Sequence, residues 1–207
     1  MFIQDSEEIM IARKRTTWRF RIACAIMTLG LLAQVRALAA APANWRINPA
    51  RTHIAFAIDA VGYPRTHGQF HQFSGRISVD FDHPDRSSVT FHVQSQSVDV
   101  GSQPFDDYLR SAAFLDAAQF PSIDFVSKSV ERVDDRSVRV TGDLTLLGVT
   151  RPLSVDVAVQ RETAGGGDRL AFVAKTSIDR LAFGMNSGFP LVSREVELAI
   201  SSEALEL

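Results

Sequence analysis

From about residue 52 onward, apolar and polar residues take turns with a period of two, a pattern that leaves few folds open. Ile54, Phe56 and Ile58 share one face of a segment near 52–59. Ile77, Val79 and Phe81 alternate with Arg76, Ser78, Asp80 and Asp82, and Val89, Phe91 and Val93 alternate with Thr90, His92 and Gln94. A less regular stretch at 122–132 carries Ile123 and Phe125. Further on, Val138, Val140, Leu144 and Leu146 alternate with polar residues, as do Leu153, Val155, Val157 and Val159. Leu170, Phe172, Ala174 and Ile178 continue the pattern, and Val192, Val196, Leu198 and Ile200 close it. Successive strand side chains point to opposite faces, so each segment has one wettable face and one that must be buried. Turn-forming residues separate the segments at Asp134-Asp135, Gly148–Pro152 and Ala164–Asp168, and Gly142 marks a bend inside one of them.

One stretch breaks the alternation. Phe105, Tyr108, Leu109 and Ala112 fall at i, i+3, i+4 and i+7, which predicts a short amphipathic helix within 103–116. Asp106 and Asp107 in its first turn and Arg110 later suit the helix dipole. Eight one-faced strands are expected to close on themselves, because closure removes the exposed edges. The expected fold is therefore all-β: an eight-stranded antiparallel, lipocalin-like barrel with one short helical insert. A barrel of that size holds side chains alone, or one small ligand.

The first forty residues follow other rules. Arg13, Lys14, Arg15, Arg19 and Arg21 lead into the apolar run Ile22–Ala33, and small residues cluster at Ala37–Ala41. The run is too short for a membrane span, which takes about 20 residues. Basic, then apolar, then Ala-x-Ala is the pattern of a cleaved export signal, with cleavage expected after Ala39. This division gives a signal peptide at 1–39 and one domain at 40–207, with a periplasmic destination and no transmembrane span after processing. Cleavage also removes Cys24, the only cysteine, so thiol catalysis and disulfides are excluded from the mature chain.

Searching the rest for chemistry returns little. There is no Gly-x-Ser-x-Gly elbow, phosphate-cradling glycine loop or dinucleotide fingerprint. His67 and His71 are four apart, but on an extended segment that is about 13 Å, too far for one metal ion. No metal site and no cofactor are expected. Asp80 with Asp82 is read as a solvated strand face and Asp106-Asp107 as a helix start. The arginines are scattered among acids and form no stripe for nucleic acid. Many phenylalanines fall on the inward parity. They either fill a solid core or line a lumen that holds an apolar ligand, and composition does not separate the two.

The order of motifs from Trp45 to about Glu203 resembles the YceI-like family of exported lipid-binding barrels, the polyisoprenoid-binding proteins. The resemblance rests on Trp45–Pro49 with Thr52–Phe56, on Gly68-Gln69-Phe70 with Phe73–Ile77, and on Asp107–Asp116 followed by Phe120–Phe125. Gly142–Pro152, Phe183-Gly184-Met185 and Val192–Val196 complete it. Leu147, Ala182 and Arg194 depart from the family pattern, which usually has His, Asp and an acid there. The resemblance implies a barrel, often dimeric, that holds a long isoprenoid, an isoprenoid quinone or another lipid-like tail, without catalysis. Parity and the family motifs together nominate Phe56, Phe91, Phe125, Leu144, Phe172, Phe183 and Met185 as lining. The alternative is a stress-related or partner-binding module with a side-chain-filled barrel. A third reading, an enzyme, would need a polar cluster such as His53 with Asp179 or Arg180.

Overall fold

In the computed structural model, residues 41–164 and 167–207 are described. The expected export signal at 1–39 lies outside them. Among the described residues eleven strands form one sheet, all of whose pairings are antiparallel. They are β1 (Ala43–Ile47), β2 (His53–Ala60), β3 (Tyr63–Phe70), β4 (Phe73–Val79), β5 (Ser88–Gln94) and β6 (Val98–Asp99). The longer ones follow: β7 (Ser122–Asp134), β8 (Ser137–Leu146), β9 (Val149–Ala164), β10 (Gly167–Asp179) and β11 (Glu195–Glu206).

Eleven segments make eight staves, because three staves are broken in two. A 3-10 turn at Pro49–Arg51 interrupts the first stave, and both halves, β1 and β2, pair with β11. The second stave bends at His71-Gln72, so that β3 pairs with β2 while β4 pairs with β1. The third is β5 with β6, split by a 3-10 turn at Ser95–Ser97. From there β7, β8, β9, β10 and β11 run up and down in order, and β11 meets β1 to close the barrel. The expected eight-stranded antiparallel barrel is thus present, and closure leaves no long free edge.

Each stave keeps the alternation. On β8, Val140, Gly142, Leu144 and Leu146 are buried and their neighbours are not. Gly142 marks more than a bend: a side chain there would place its Cβ 2.4 Å from the Val126 carbonyl oxygen and 2.7 Å from Phe125 Cζ. The β7–β8 register shifts between Ser127 and Ser129, directly opposite, as a bulge requires. Leu147 and Gly148, both at positive φ (51° and 71°), close the β8–β9 hairpin in two residues.

The helix α1 (Gln103–Arg110) is shorter than the stripe suggests. Ser111 ends it: its N–H bonds back to the carbonyls of Asp107 and Tyr108 while its own backbone is extended, and turns carry the chain to Phe120. Ala112 therefore lies outside the helix. Asp106 is buried rather than solvated, and its Oδ1 accepts from the Val100 N–H at 2.7 Å.

Candidate functional site

The interior is not filled. Two apolar clusters sit toward the two ends of the barrel. Near α1, Val98, Phe114, Leu115, Leu144, Leu146, Phe183 and Met185 pack together. Toward the other end Trp45, Ile47, Ile77, Leu170, Phe172 and Ala204 do the same. A cavity of about 600 Å³ runs along the barrel, within the range of small-molecule sites. Its wall extends from Phe105, Tyr108, Gly188 and Val192 at the α1 end to Pro84, Ser87, Asp135 and Arg136 at the opposite end. Between them it is almost wholly aliphatic and aromatic, because every stave contributes its inward parity.

Six of the seven nominated residues, Phe56, Phe91, Phe125, Leu144, Phe172 and Met185, are on this wall. Phe183 is not: it is buried in the cluster near α1. The sequence reading named one residue on each of five strands and two in the segment after β10, whereas the wall takes the whole inward face, including Ile54, Ile77, Val140 and Leu170. The parity that nominated the phenylalanines marks these aliphatic residues equally well.

The ends differ in character. Around the α1 end, Val61, Tyr63, Phe105, Tyr108, Phe189 and Leu191 are exposed. The Val61 N–H donates to the Leu191 carbonyl at 2.8 Å, joining the β2–β3 turn to the segment before β11. At the far end the wall becomes a polar collar that includes Asp80, Arg132, Asp134, Asp135, Arg136 and Arg161. Phe81 is the centre of this collar: Arg132 Nη2 donates to its carbonyl, and the Arg161 guanidinium lies 4.8 Å over its ring.

Asp80 corrects the sequence reading. It is 8% exposed, not part of a solvated face. Its Oδ1 accepts from the N–H groups of Asp82 (3.1 Å) and His83 (2.8 Å). Two buried side-chain polar atoms among the described residues have no hydrogen-bond partner, Trp45 Nε1 and Asp80 Oδ2, and of these two residues Asp80 is on the cavity wall.

Arg180 is the most deeply buried charge among the described residues, with no exposed surface. Its guanidinium donates to the carbonyls of Ser193 (2.7 Å), Met185 (2.5 Å), Ser187 (2.8 Å) and Val192 (2.9 Å). Burial pulls its pKa below the usual arginine value, and neighbouring Asp179 opposes that pull. Asp179 is itself held below the usual carboxylate range by its hydrogen bond with Arg194 at 2.6 Å. His53 does not join them. It pairs with Ser201 while Asp179 pairs with Glu195, so six residues of β11, about 20 Å, separate the two.

Two histidines form pairs with carboxylates at or near the surface. His71 Nε2 meets Asp99 Oδ2 at 2.7 Å, in a polar cleft beside α1 that also includes Gln103 and Arg110. His92 Nδ1 contacts Asp124 Oδ1, and Ser122 Oγ donates to Asp124 Oδ2 at 2.8 Å. In this trio the hydroxyl is bonded to the carboxylate and not to the imidazole, so the histidine is not placed to activate it. Among the described residues no group of three or more His, Cys, Asp or Glu could hold a metal ion, and no helix is long and apolar enough to cross a membrane.

Comparison with known proteins follows this geometry closely. The family model for the YceI-like domain matches residues 45–204. Protein YceI of Salmonella arizonae is 32% identical over 197 residues, covering 93% of this chain and 98% of that protein, and Protein YceI of Salmonella dublin matches equally well. Among solved structures, Burkholderia cenocepacia BcnA superposes with a TM-score of 0.70 at 24% identity, covering 76% of this chain and 98% of BcnA. A polyisoprenoid binding domain from Saccharophagus degradans, implicated in plant cell wall breakdown, superposes with a TM-score of 0.65 at 16% identity, covering 80% and 99%.

Proposed function

Because the chain belongs to the YceI-like family, we propose that it is an exported, non-catalytic carrier of a polyisoprenoid, an isoprenoid quinone or a similar long apolar molecule. The observation that carries this reading is the continuous apolar cavity of about 600 Å³. A solid barrel acting through its outer surface would need the inward side chains to meet, and here they leave room. The name of the Saccharophagus domain, which has the same fold, agrees with a polyisoprenoid ligand.

The energetics favour such a cargo. Each methylene moved from water to an apolar wall contributes about 0.8 kcal/mol before ordering costs. A lipid tail therefore binds through shape and burial, and needs few polar contacts along its length. Catalysis would need reactive groups facing the tail, whereas the ion pairs described above lie at the rims and on the outer surface. The export signal expected at 1–39 supports a periplasmic carrier, since long apolar molecules need a protein to cross an aqueous compartment.

The test is extraction of the mature protein, purified from its own host without detergent, followed by mass spectrometry. A long-chain lipid present at about one per protein is the expected result. A clean extract, together with a native mass equal to the bare polypeptide, would refute the carrier reading.

A further inference from the structure

We propose that the α1 end of the barrel is a membrane-docking face, and that its exposed apolar rim enters the surface of a phospholipid bilayer to take up and release the carried molecule. This inference rests on the carrier reading and adds the place and the partner of loading: a bilayer surface, met mouth-first.

Among the described residues eleven large apolar side chains are exposed, and six of them, Val61, Tyr63, Phe105, Tyr108, Phe189 and Leu191, are around this end. Those six include every exposed aromatic residue and both tyrosines of the chain. The other five are valines and leucines on β7, β10 and β11 or at the C-terminus. Single exposed apolar residues are ordinary, whereas a cluster of them marks a contact surface. The exposure is also built into the fold. Val61 and Tyr63 flank the β2–β3 turn, which is tied to the segment before β11 twice: the Val61 N–H donates to the Leu191 carbonyl and the Ser193 N–H to the Asp59 carbonyl, both at 2.8 Å. Arg180 holds the same segment, which bears Phe189 and Leu191, through four of its carbonyls. The apolar side chains are thus held outward by the backbone beneath them.

Continuity with the lumen selects the partner. Phe105 and Tyr108 are at once exposed and on the cavity wall, and Gly188 and Val192, also on the wall, adjoin Phe189 and Leu191 in the chain. The apolar lining therefore runs out onto the rim at this end, whereas at the other end it stops at the charged collar. A long apolar molecule dissolved in a bilayer can pass along such a surface without crossing water, where every exposed methylene is costly. Tyrosine suits the place, since it sets an apolar ring and a polar tip at a membrane–water interface. Charge shapes the contact further. Near this rim Arg65 is paired with Asp59 and Glu197, Arg110 with Asp107, and Arg194 with Asp179. Acids also outnumber bases over residues 40–207. The face therefore suits neutral head groups entered by apolar side chains, not an anionic surface held by basic ones.

The test floats the mature, delipidated protein with phosphatidylcholine vesicles, with and without phosphatidylglycerol, at low and high salt. The wild-type protein should float with pure phosphatidylcholine, no less so in high salt, and phosphatidylglycerol should not strengthen the binding. Tyr63→Ser with Leu191→Ser should weaken partitioning about tenfold or more, since both side chains are more than six-tenths exposed in the free protein. Neither is on the cavity wall, so this variant should still bind geranylgeraniol in solution. Val61→Ser with Phe189→Ser, also off the wall, is a second pair with the same expected outcome should the first misfold. Wild-type protein that stays below the vesicles would overturn the proposal even if both variants misfold. Binding that needs phosphatidylglycerol and is lost in salt, or partitioning that neither variant changes, would also overturn it. So would a wild-type dimer in solution that the substitutions dissociate, because a second copy would then be what covers the face. Flotation as expected without uptake of geranylgeraniol would refute the carrier reading while supporting the docking face, so the two failures are told apart.

Discussion

Replacing Arg180 by methionine, which keeps the length of the side chain and removes the guanidinium, tests how the α1 end of the barrel is held. The four carbonyls that Arg180 satisfies belong to Met185, Ser187, Val192 and Ser193, all on the segment that joins β10 to β11. If every one stayed buried and unpaired, at about 1–3 kcal/mol each, the loss would rival the whole stability of a domain. The segment has an easier way out, since Phe189 and Leu191 on it are already more than half exposed. Opening it to water caps the loss at about 3–5 kcal/mol, the usual result of removing one partner from a buried charged network. For a domain of this size that corresponds to a fall in Tm of about 6–20 °C. Thermal unfolding by circular dichroism measures the fall, and hydrogen exchange locates it at the amides of Met185 and Val192, which bond to Arg180 and Gly188 carbonyls. Arg180→Lys, with three donors on a single nitrogen and no planar fork, should fall between methionine and wild type. A methionine variant that melts within 2 °C of wild type, with those amides still protected, would refute the clamp.

Other substitutions probe the wall and the joints. Gly142→Ala forces a Cβ to within 2.4 Å of the Val126 carbonyl oxygen, so chemical denaturation should show a loss of about 1–3 kcal/mol or more; an unchanged midpoint would contradict the close approach of β8 to β7. Leu144→Ala removes a buried side chain from the cluster near α1 and should cost about 2–5 kcal/mol in the same assay, whereas a loss below 1 kcal/mol would mean the site collapses freely. Asp99 is held below the usual carboxylate range, first by its hydrogen bond with His71 and then by the Gly101 N–H. A carboxylate with a lowered folded-state pKa stabilises above its unfolded value, near 4, and loses that contribution as pH falls through the folded value. Melting curves of wild type and Asp99→Asn should therefore converge below pH 4 and separate above it; a constant offset at every pH would contradict the pairing.

Much of the barrel is written in the chain as alternation, and its limits are physical. Staves that are buried on one face along their length, such as β8 and β9, declare themselves. β3 does not: Tyr63-Pro64-Arg65-Thr66-His67 has little apolar content, and this outer half, which pairs with β2 while the short β6 meets only Gln69 and Phe70, is largely exposed. β1 is also hard to see, since Pro49 interrupts the stave just after two buried residues, Trp45 and Ile47. The helix stripe overreached because periodicity does not register the Ser111 stop. At the site, parity finds the apolar wall, but it does not reach Phe183, which is in the 3-10 turn after β10 and is buried in the cluster near α1. Asp80 and Arg180 were invisible for a different reason. Their burial follows from how loops fold over the barrel ends, and a local pattern of polar residues reads the same whether it ends in water or beneath a loop.

Calorimetric titration of delipidated protein with geranylgeraniol, repeated with Ala174→Trp, tests most directly that the lumen carries an apolar molecule. Ala174 is on the cavity wall, and an indole there should fill space the ligand needs. The account predicts one-to-one binding with a negative heat-capacity change, the mark of apolar burial, and its loss in a tryptophan variant that still folds. Absence of binding to the wild type, or binding that the filled lumen leaves untouched, would contradict it.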